Sequence, residues 1–425
     1  MYKQLFAYPF LEQQASKDYY YNLGSLHEYI THNDYLGFIA DHPDKNIYKE
    51  LTECYRENLL FLKEHGLPHS KQEQFNTFNL NKLYRLDILN SDKSKWETGL
   101  YDKLEFLATS NENTIVTIDG EIYTTEVINK KTSAGVQILD YMKVGKQRHR
   151  EYMKLIEKTG NFSNLSFGAT TYPNVIVFPK GYESKYADSP VKIKYDSSQD
   201  DPVLEANTTI VDVPYDTHVK LVEEINTTAG QLNYTTYIVR DGATLEIDRT
   251  TVDAGGWSIF DSRFICHPNS TVKINCSNTG SQYTQENFYF KCSSGVKLEL
   301  NGRNNIRKGN EYYSFVRVRS AGKDNVSNID VKNIGNEQSK TSWIGKYEIS
   351  AESVGFNGTM ENKNLMLSST AKMHTRPILD IYTKEIQCTH GCTISNVDKN
   401  QLYYLQSKGF DKATAKTMLV ESFLC

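Results

Sequence analysis

Apolar spacing divides the chain into three textures. From about residue 12 to 64 the pattern is helical: Tyr48, Leu51, Tyr55, Leu59, Phe61 and Leu62 recur at three- and four-residue steps. Gly66, Leu67 and Pro68 then stop the helix in the usual Gly-then-Pro manner. Residues 70–89 are polar and less regular. The spacing predicts a second helix over roughly 134–158, where Val136, Leu139, Met142 and Val144 precede a charged run from Lys146 to Lys154. Such a run is read as a solvated helix face.

From about 165 to 390 the period falls to two, and the repeating unit is a polar turn followed by alternating apolar positions. It occurs at Asp241 to Ile247, Asn269 to Ile274 and Ser294 to Leu300. The apolar runs start at Ala243, Val272 and Val296, 24 to 29 residues apart, a spacing that suits one coil of a β-solenoid. A β-sandwich also gives short alternating strands, but the recurring spacing favours the solenoid. No helical segment separates the strands, which argues against a doubly wound α/β sheet. In the last thirty residues Asp398 can cap a helix over 399–408 that Gly409 ends, and Asp411 can cap another reaching about Phe423. Two helices this short need a surface to pack on. The expected fold is mainly β, with a mostly helical region over 1–160, a parallel β-helix core over 161–394 and a helical region over 395–425.

Charge narrows the function. Lys and Arg total 48 against 52 Asp and Glu, a net charge of −4, without the basic surplus of a nucleic-acid binder. No run approaches the ~20 apolar residues of a membrane span, and Met1 to Gln13 lacks the pattern of an export signal. The seven cysteines (Cys54, Cys266, Cys276, Cys292, Cys388, Cys392 and Cys425) are odd in number and widely spaced, which suits free thiols in a reducing compartment. The expected location is the cytoplasm, or an organelle stroma after leader removal.

Motifs for nucleotide chemistry fail. The stretch Gly335 to Thr341 lacks the Gly before Lys340 that would let the backbone wrap a phosphate, so it is read as a loop. His27 and His32 lie five residues apart, which turns them to different faces of a helix and prevents chelation of one zinc ion. The cluster with chemical promise is Cys388, His390 and Cys392. On an extended strand all three share a face, and thiolates with an imidazole suit iron, zinc or a nascent cluster. Positions four apart on a strand are about 13 Å apart, beyond the reach of a single ion unless Gly391 breaks the strand. The cluster is half a metal site at most, to be completed by another chain. Taken alone, its bland explanation is two small buried cysteines and a hydrogen-bonded histidine.

The surrounding residues change that balance. Thr375 to Tyr382, Cys388 to Thr393 and Gln401 to Gly409 resemble the C-terminal signature of the SufB/SufD family, T-K-P-x-L-x-I-Y, C-S-H-G-A-T and Q-L-F-Y-L-x-x-R-G. Gly66 to Phe75, Val211 to Pro214 and Val239 to Ala243 are similar to further family elements. SufB carries E-H-E-A-T where this chain has Cys388 to Thr393, and Cys-Asp-Ser where it has Leu367 to Ser369, so the resemblance leans to the SufD branch. Cys392 departs from the family's usual Ala.

The resemblance implies a right-handed parallel β-helix and a non-enzymatic scaffold. Such a chain pairs with a SufB-like paralogue, or in isolation with itself, and binds a SufC-like ABC ATPase. His390 would donate to a nascent Fe-S cluster across the paralogue interface, with Cys388 as helper, and no cofactor would be tightly bound in the isolated chain. Leu402, Leu405, Met418, Leu419 and Phe423 would dock the ATPase. Two readings compete: a carbohydrate-acting β-helix enzyme of the pectin lyase kind, which needs clustered acids, and a self-contained zinc protein.

Overall fold

The computed structural model describes residues 203–225, 230–252 and 255–425 continuously, preceded by the shorter pieces 87–89, 114–118, 121–124, 136–140, 151–152, 166, 173–179, 182 and 190–196. The expected helix over 12–64 and the Gly66 to Phe75 element lie outside the described residues.

Six short strands lead in: β1 (Asp87–Leu89), β2 (Thr114–Ile118), β3 (Glu121–Thr124), β4 (Gln137–Asp140), β5 (Asn174–Val177) and β6 (Val191–Asp196). Two-strand coils follow. The first is β7 (Val203–Val213) with β8 (His218–Ile225), the second β9 (Gly230–Val239) with β10 (Thr244–Thr251), and the third β11 (Trp257–Cys266) with β12 (Thr271–Asn278). Next come β13 (Tyr283–Cys292) with β14 (Lys297–Ile306) and β15 (Glu311–Ser320) with β16 (Val326–Gly335). The sixth coil is β17 (Lys340–Ile349) with β18 (Phe356–Met366), and the seventh β19 (Lys372–Ile381) with β20 (Ile386–Asn396). Two helices close the chain, α1 (Lys399–Ser407) and α2 (Lys412–Leu424).

From β5 onward, odd strands form one sheet and even strands the other, each strand pairing in parallel with its counterpart one coil away. This is a parallel β-solenoid of about seven turns, not a sandwich. Paired positions advance from Thr244 to Thr271, Lys297, Val326, Asn357 and Gln387, steps of 27, 26, 29, 31 and 30 residues. Four strands come from before residue 161 and extend both sheets. Among them β4 lies near the start of the stretch expected to be helical and pairs antiparallel with β5, while Glu151 and Tyr152, the other described residues of that stretch beyond β4, are helical. Val136 and Ile138 are buried two apart, so pairing with a sheet edge overrides the helical reading of these apolar positions.

The two sheets are buried differently. The even strands alternate buried and exposed positions, whereas β9 and β11 are buried along their whole length on both faces. Part of the outer cover of the odd-strand sheet comes from upstream chain. Arg240 grips Asp212 through two nitrogens at 2.8 Å each and pairs with Glu151, while Tyr152 donates to Asp212 at 2.7 Å. Ser166 donates to the Asn207 carbonyl at 2.8 Å.

Between the sheets runs a lumen filled by like residues stacked coil on coil. Phe264 stacks on Tyr237 at 4.6 Å and on Phe290 at 4.7 Å between ring centres. Asn304 donates to Asn333 at 2.8 Å, Asn333 to Asn364 at 2.9 Å, and Asn364 to the Thr393 carbonyl at 3.0 Å. In-register parallel coils place equivalent side chains one strand spacing apart, so each amide finds its partner in the next coil.

The corner between odd and even strands sets the coil height. Asp216, Gly242, Asn269, Gly295, Asp324 and Gly355 all take positive φ there, and each donates its N–H to a carbonyl of the following coil at 2.8 to 3.1 Å. Acid or amide alternates with glycine for a steric reason. A Cβ on Gly242 would lie 2.2 Å from Asp216 Oδ1, one on Gly295 2.4 Å from Asn269 Oδ1, and one on Gly355 2.3 Å from Asp324 Oδ1. Each Asx side chain fills the space that the next coil's glycine leaves open.

Candidate functional site

The inner face of the even-strand sheet is built from columns that can be followed coil by coil. One reads Leu221, Ile247, Ile274, Leu300, Ile329 and Met360, and its next member is His390. All six aliphatic members are at most 1% exposed, while His390 is exposed. A neighbouring column ends Leu298, Ser327, Gly358, Cys388, and another ends Gly302, Val331, Asn362, Cys392. Cys388 and Cys392 are half-buried against the core. The period-two pattern therefore persists into the last strand, but the residue types change from aliphatic to thiol and imidazole where the lumen opens.

β19 and β20 are the last strands of their sheets among the described residues, so each presents an unpaired edge. Ile381, Tyr382 and Ile394 are exposed there, Tyr382 at 73%. Gly391 leaves β20 unbroken from Ile386 to Asn396, so Cys388 and Cys392 stay about 13 Å apart and cannot share one ion. Among the described residues no group of three His, Cys, Asp or Glu is placed to hold a metal. Burial pushes the Cys388 thiol up, and burial does the same to Cys392, with the Thr375 side chain and the Asn362 backbone pulling it back. Below the mouth, Tyr347 crosses the lumen and donates to the Thr359 carbonyl at 2.8 Å. Gly358, directly under Cys388, leaves room for the neighbouring rings: a Cβ there would meet Phe356 at 2.5 Å and Tyr347 at 3.2 Å. The six described cysteines are free thiols.

Gly335 ends β16, residues 336–339 make a tight turn, and Lys340 pairs with Glu311 at 2.8 Å, which makes the phosphate-loop look-alike an ordinary corner. Asp398 and Asp411 cap the two helices as expected, accepting from Asn400, and from Ala413 and Thr414. Leu402, Leu405, Leu419 and Phe423 are half-buried and Met418 is exposed; the helices pack on each other and α2 touches β16. The most exposed large side chains of this region are ones that sequence reasoning passed over, Tyr403 at 74% and Tyr404 at 59%. They sit between Leu402 and Leu405, off the apolar register, and Lys408 lies over the Tyr404 ring at 5.3 Å. No helix among the described residues is long and apolar enough to cross a membrane.

With this geometry in hand, comparison with known proteins is specific. Residues 195–423 match the SufBD core domain of SUF-system FeS cluster assembly. An iron-sulfur cluster assembly SufBD family protein of Synechocystis sp. is 23% identical over 379 residues, covering 84% of this chain and 82% of that protein. The iron-sulfur cluster assembly protein SufD of Escherichia coli is 29% identical over 92 residues, 22% of each chain. Protein ABCI7, chloroplastic, of Arabidopsis thaliana is 34% identical over 67 residues, 16% of this chain and 14% of that one. The matched domain spans the whole solenoid from the first coil and both terminal helices, and on that ground the chain belongs to the SufBD family of iron–sulfur cluster assembly proteins.

Proposed function

We propose that this chain is a SufD-like, non-catalytic subunit that pairs with a SufB-like paralogue through the open end of its solenoid. A SufC-like ATPase docks on α1 and α2. The observation that carries this reading is the aliphatic lumen column that ends in an exposed His390 between two half-buried thiols, beside two unpaired strand edges. A histidine at the end of a core column gains nothing by burial, and an open strand edge invites pairing with another chain. His390 and Cys388 would hold a nascent Fe-S cluster, as cargo, together with groups from the paralogue. The spacing along β20 supports a shared site, because among the described residues no three donors meet at one point. Cytoplasm or an organelle stroma suits such chemistry, one relative being named chloroplastic. The pectin lyase reading gains no support from the mouth of the lumen, which carries thiols and imidazole where that chemistry needs carboxylates.

The test is His390→Ala in the reconstituted complex. The expected result is an intact complex with reduced cluster yield; an unchanged yield removes His390 from the site. Deletion from residue 398 onward should abolish ATPase binding and leave the paralogue bound.

A further inference from the structure

The middle of the lumen holds a polar cluster that the proposed function leaves unused. Its members are Glu223 on β8, Arg249 on β10, Tyr237 on β9, Ser262 on β11, Cys276 and Asn278 on β12, Glu286 on β13 and Tyr312 on β15. All are at most 4% exposed. Glu223 accepts from Arg249 Nε at 2.7 Å and from the Tyr237 hydroxyl at 2.5 Å. The same guanidinium donates to Ser262 Oγ at 3.0 Å and lies over the rings of Phe260 and Phe288 at 5.2 and 5.5 Å. Its other terminal nitrogen, Nη1, has no hydrogen-bond partner.

Glu286 is in a different position. It is 1% exposed, it accepts from the Tyr312 hydroxyl at 3.0 Å, and the Asn278 side chain lies beside it; both partners are neutral groups. Its register neighbours are Phe260 and Ser314, neither a cation. The facing titratable and charged groups are Arg249, Glu223, Cys276 and Tyr312. One guanidinium thus serves two buried carboxyls, and its Nε is committed to Glu223. A buried carboxylate without a cation of its own costs more than a buried acid, so the group neutralises.

We propose that Glu286 stands in the folded lumen as a neutral carboxylic acid, a stored proton that makes the middle of the solenoid less stable as pH rises. Burial pushes this carboxyl up, against the pull of Arg249, Tyr312 and Asn278. Below the ordinary glutamate value of about 4.3 the folded and unfolded chains both hold the proton. Above it the unfolded chain releases the proton while the folded chain keeps it. Stability from this group is complete below about 4.3 and is lost as pH rises through the higher folded value.

The test compares urea midpoints of the full wild-type chain, Glu286→Gln and Glu223→Gln from about pH 4 to about pH 8. Glu286→Gln, a neutral isostere, should match the wild type at the acid end and exceed it at the alkaline end. Glu223→Gln should be less stable throughout, because it leaves Arg249 uncompensated. A Glu286→Gln midpoint below the wild type at the alkaline end would overturn the proposal, since it would reveal an ion pair with Arg249. Should that variant not fold, isotope-edited infrared spectroscopy of wild-type chain with labelled glutamate decides: a protonated carboxyl band that persists above about pH 4.3, where an ordinary glutamate ionises, supports the proposal, and its absence there overturns it.

Discussion

The second to sixth coils and the seventh are built on one plan yet do opposite things. In the middle, every inward position meets a neighbour above and below: Phe264 lies between Tyr237 and Phe290, and Arg249 is sealed with Glu223. At the end the same columns run out. His390 is exposed, Cys388, Cys392 and Leu379 are half-buried, and among the described residues β19 and β20 keep one edge each without a partner strand. A coil's stability comes from both neighbours, so the last coil has about half of the packing and half of the ladder bonds of an internal one. The solenoid thereby separates work along its axis, with stability in the middle and a surface for other chains at the end.

The largest losses are expected in the sealed lumen. Arg249→Met should cost about 3–5 kcal/mol, because it strands the Glu223 carboxylate in a closed space. The urea midpoint measures this, and a loss below about 1 kcal/mol would mean that water reaches the lumen. Phe264→Ala should cost about 3–5 kcal/mol through the cavity it leaves. Leu379, four residues on along the same column through Phe290, Val318 and Tyr347, should cost only about 1 kcal/mol when changed to Ala. Equal losses at the two positions would show that the end is as tightly packed as the middle. Gly242→Ala should cost about 1–3 kcal/mol, from its φ of +69° and the contact with Asp216. Adding Asp216→Gly should restore part of it, and no recovery would show that φ alone sets the cost. The smallest effect on folding is expected at the end, where Tyr403→Ala should change stability by less than about 0.5 kcal/mol. Under the proposed function it should weaken ATPase binding, which titration with the purified ATPase would measure.

Several of these elements were legible before any coordinates. The period-two runs at Ala243, Val272 and Val296 announced a solenoid because each strand has one face in the lumen and one in water. The caps at Asp398 and Asp411 were legible for a local reason, a carboxylate that accepts its own helix's first N–H groups. The stretch around Val136 misled because four residues that pair with β5 look helical until the sheet edge is known. Strands such as β9 and β11, buried on both faces, carry no alternation at all, so pattern alone could not assign their faces.

The candidate site divides along the same line. Sequence alone placed Cys388, His390 and Cys392 on one face of a strand, since side chains of an extended chain alternate. It equally fixed the limit on their reach, because backbone geometry sets the spacing. That this face is the end of a lumen column, that His390 succeeds six buried aliphatic residues, and that Tyr403 and Tyr404 face solvent were decided by tertiary structure. So was the lone guanidinium shared by Glu223 and Glu286, residues 63 positions apart that meet only when the coils stack. Local geometry acts within a few residues and can be read from them; burial and charge pairing depend on what the next coil brings.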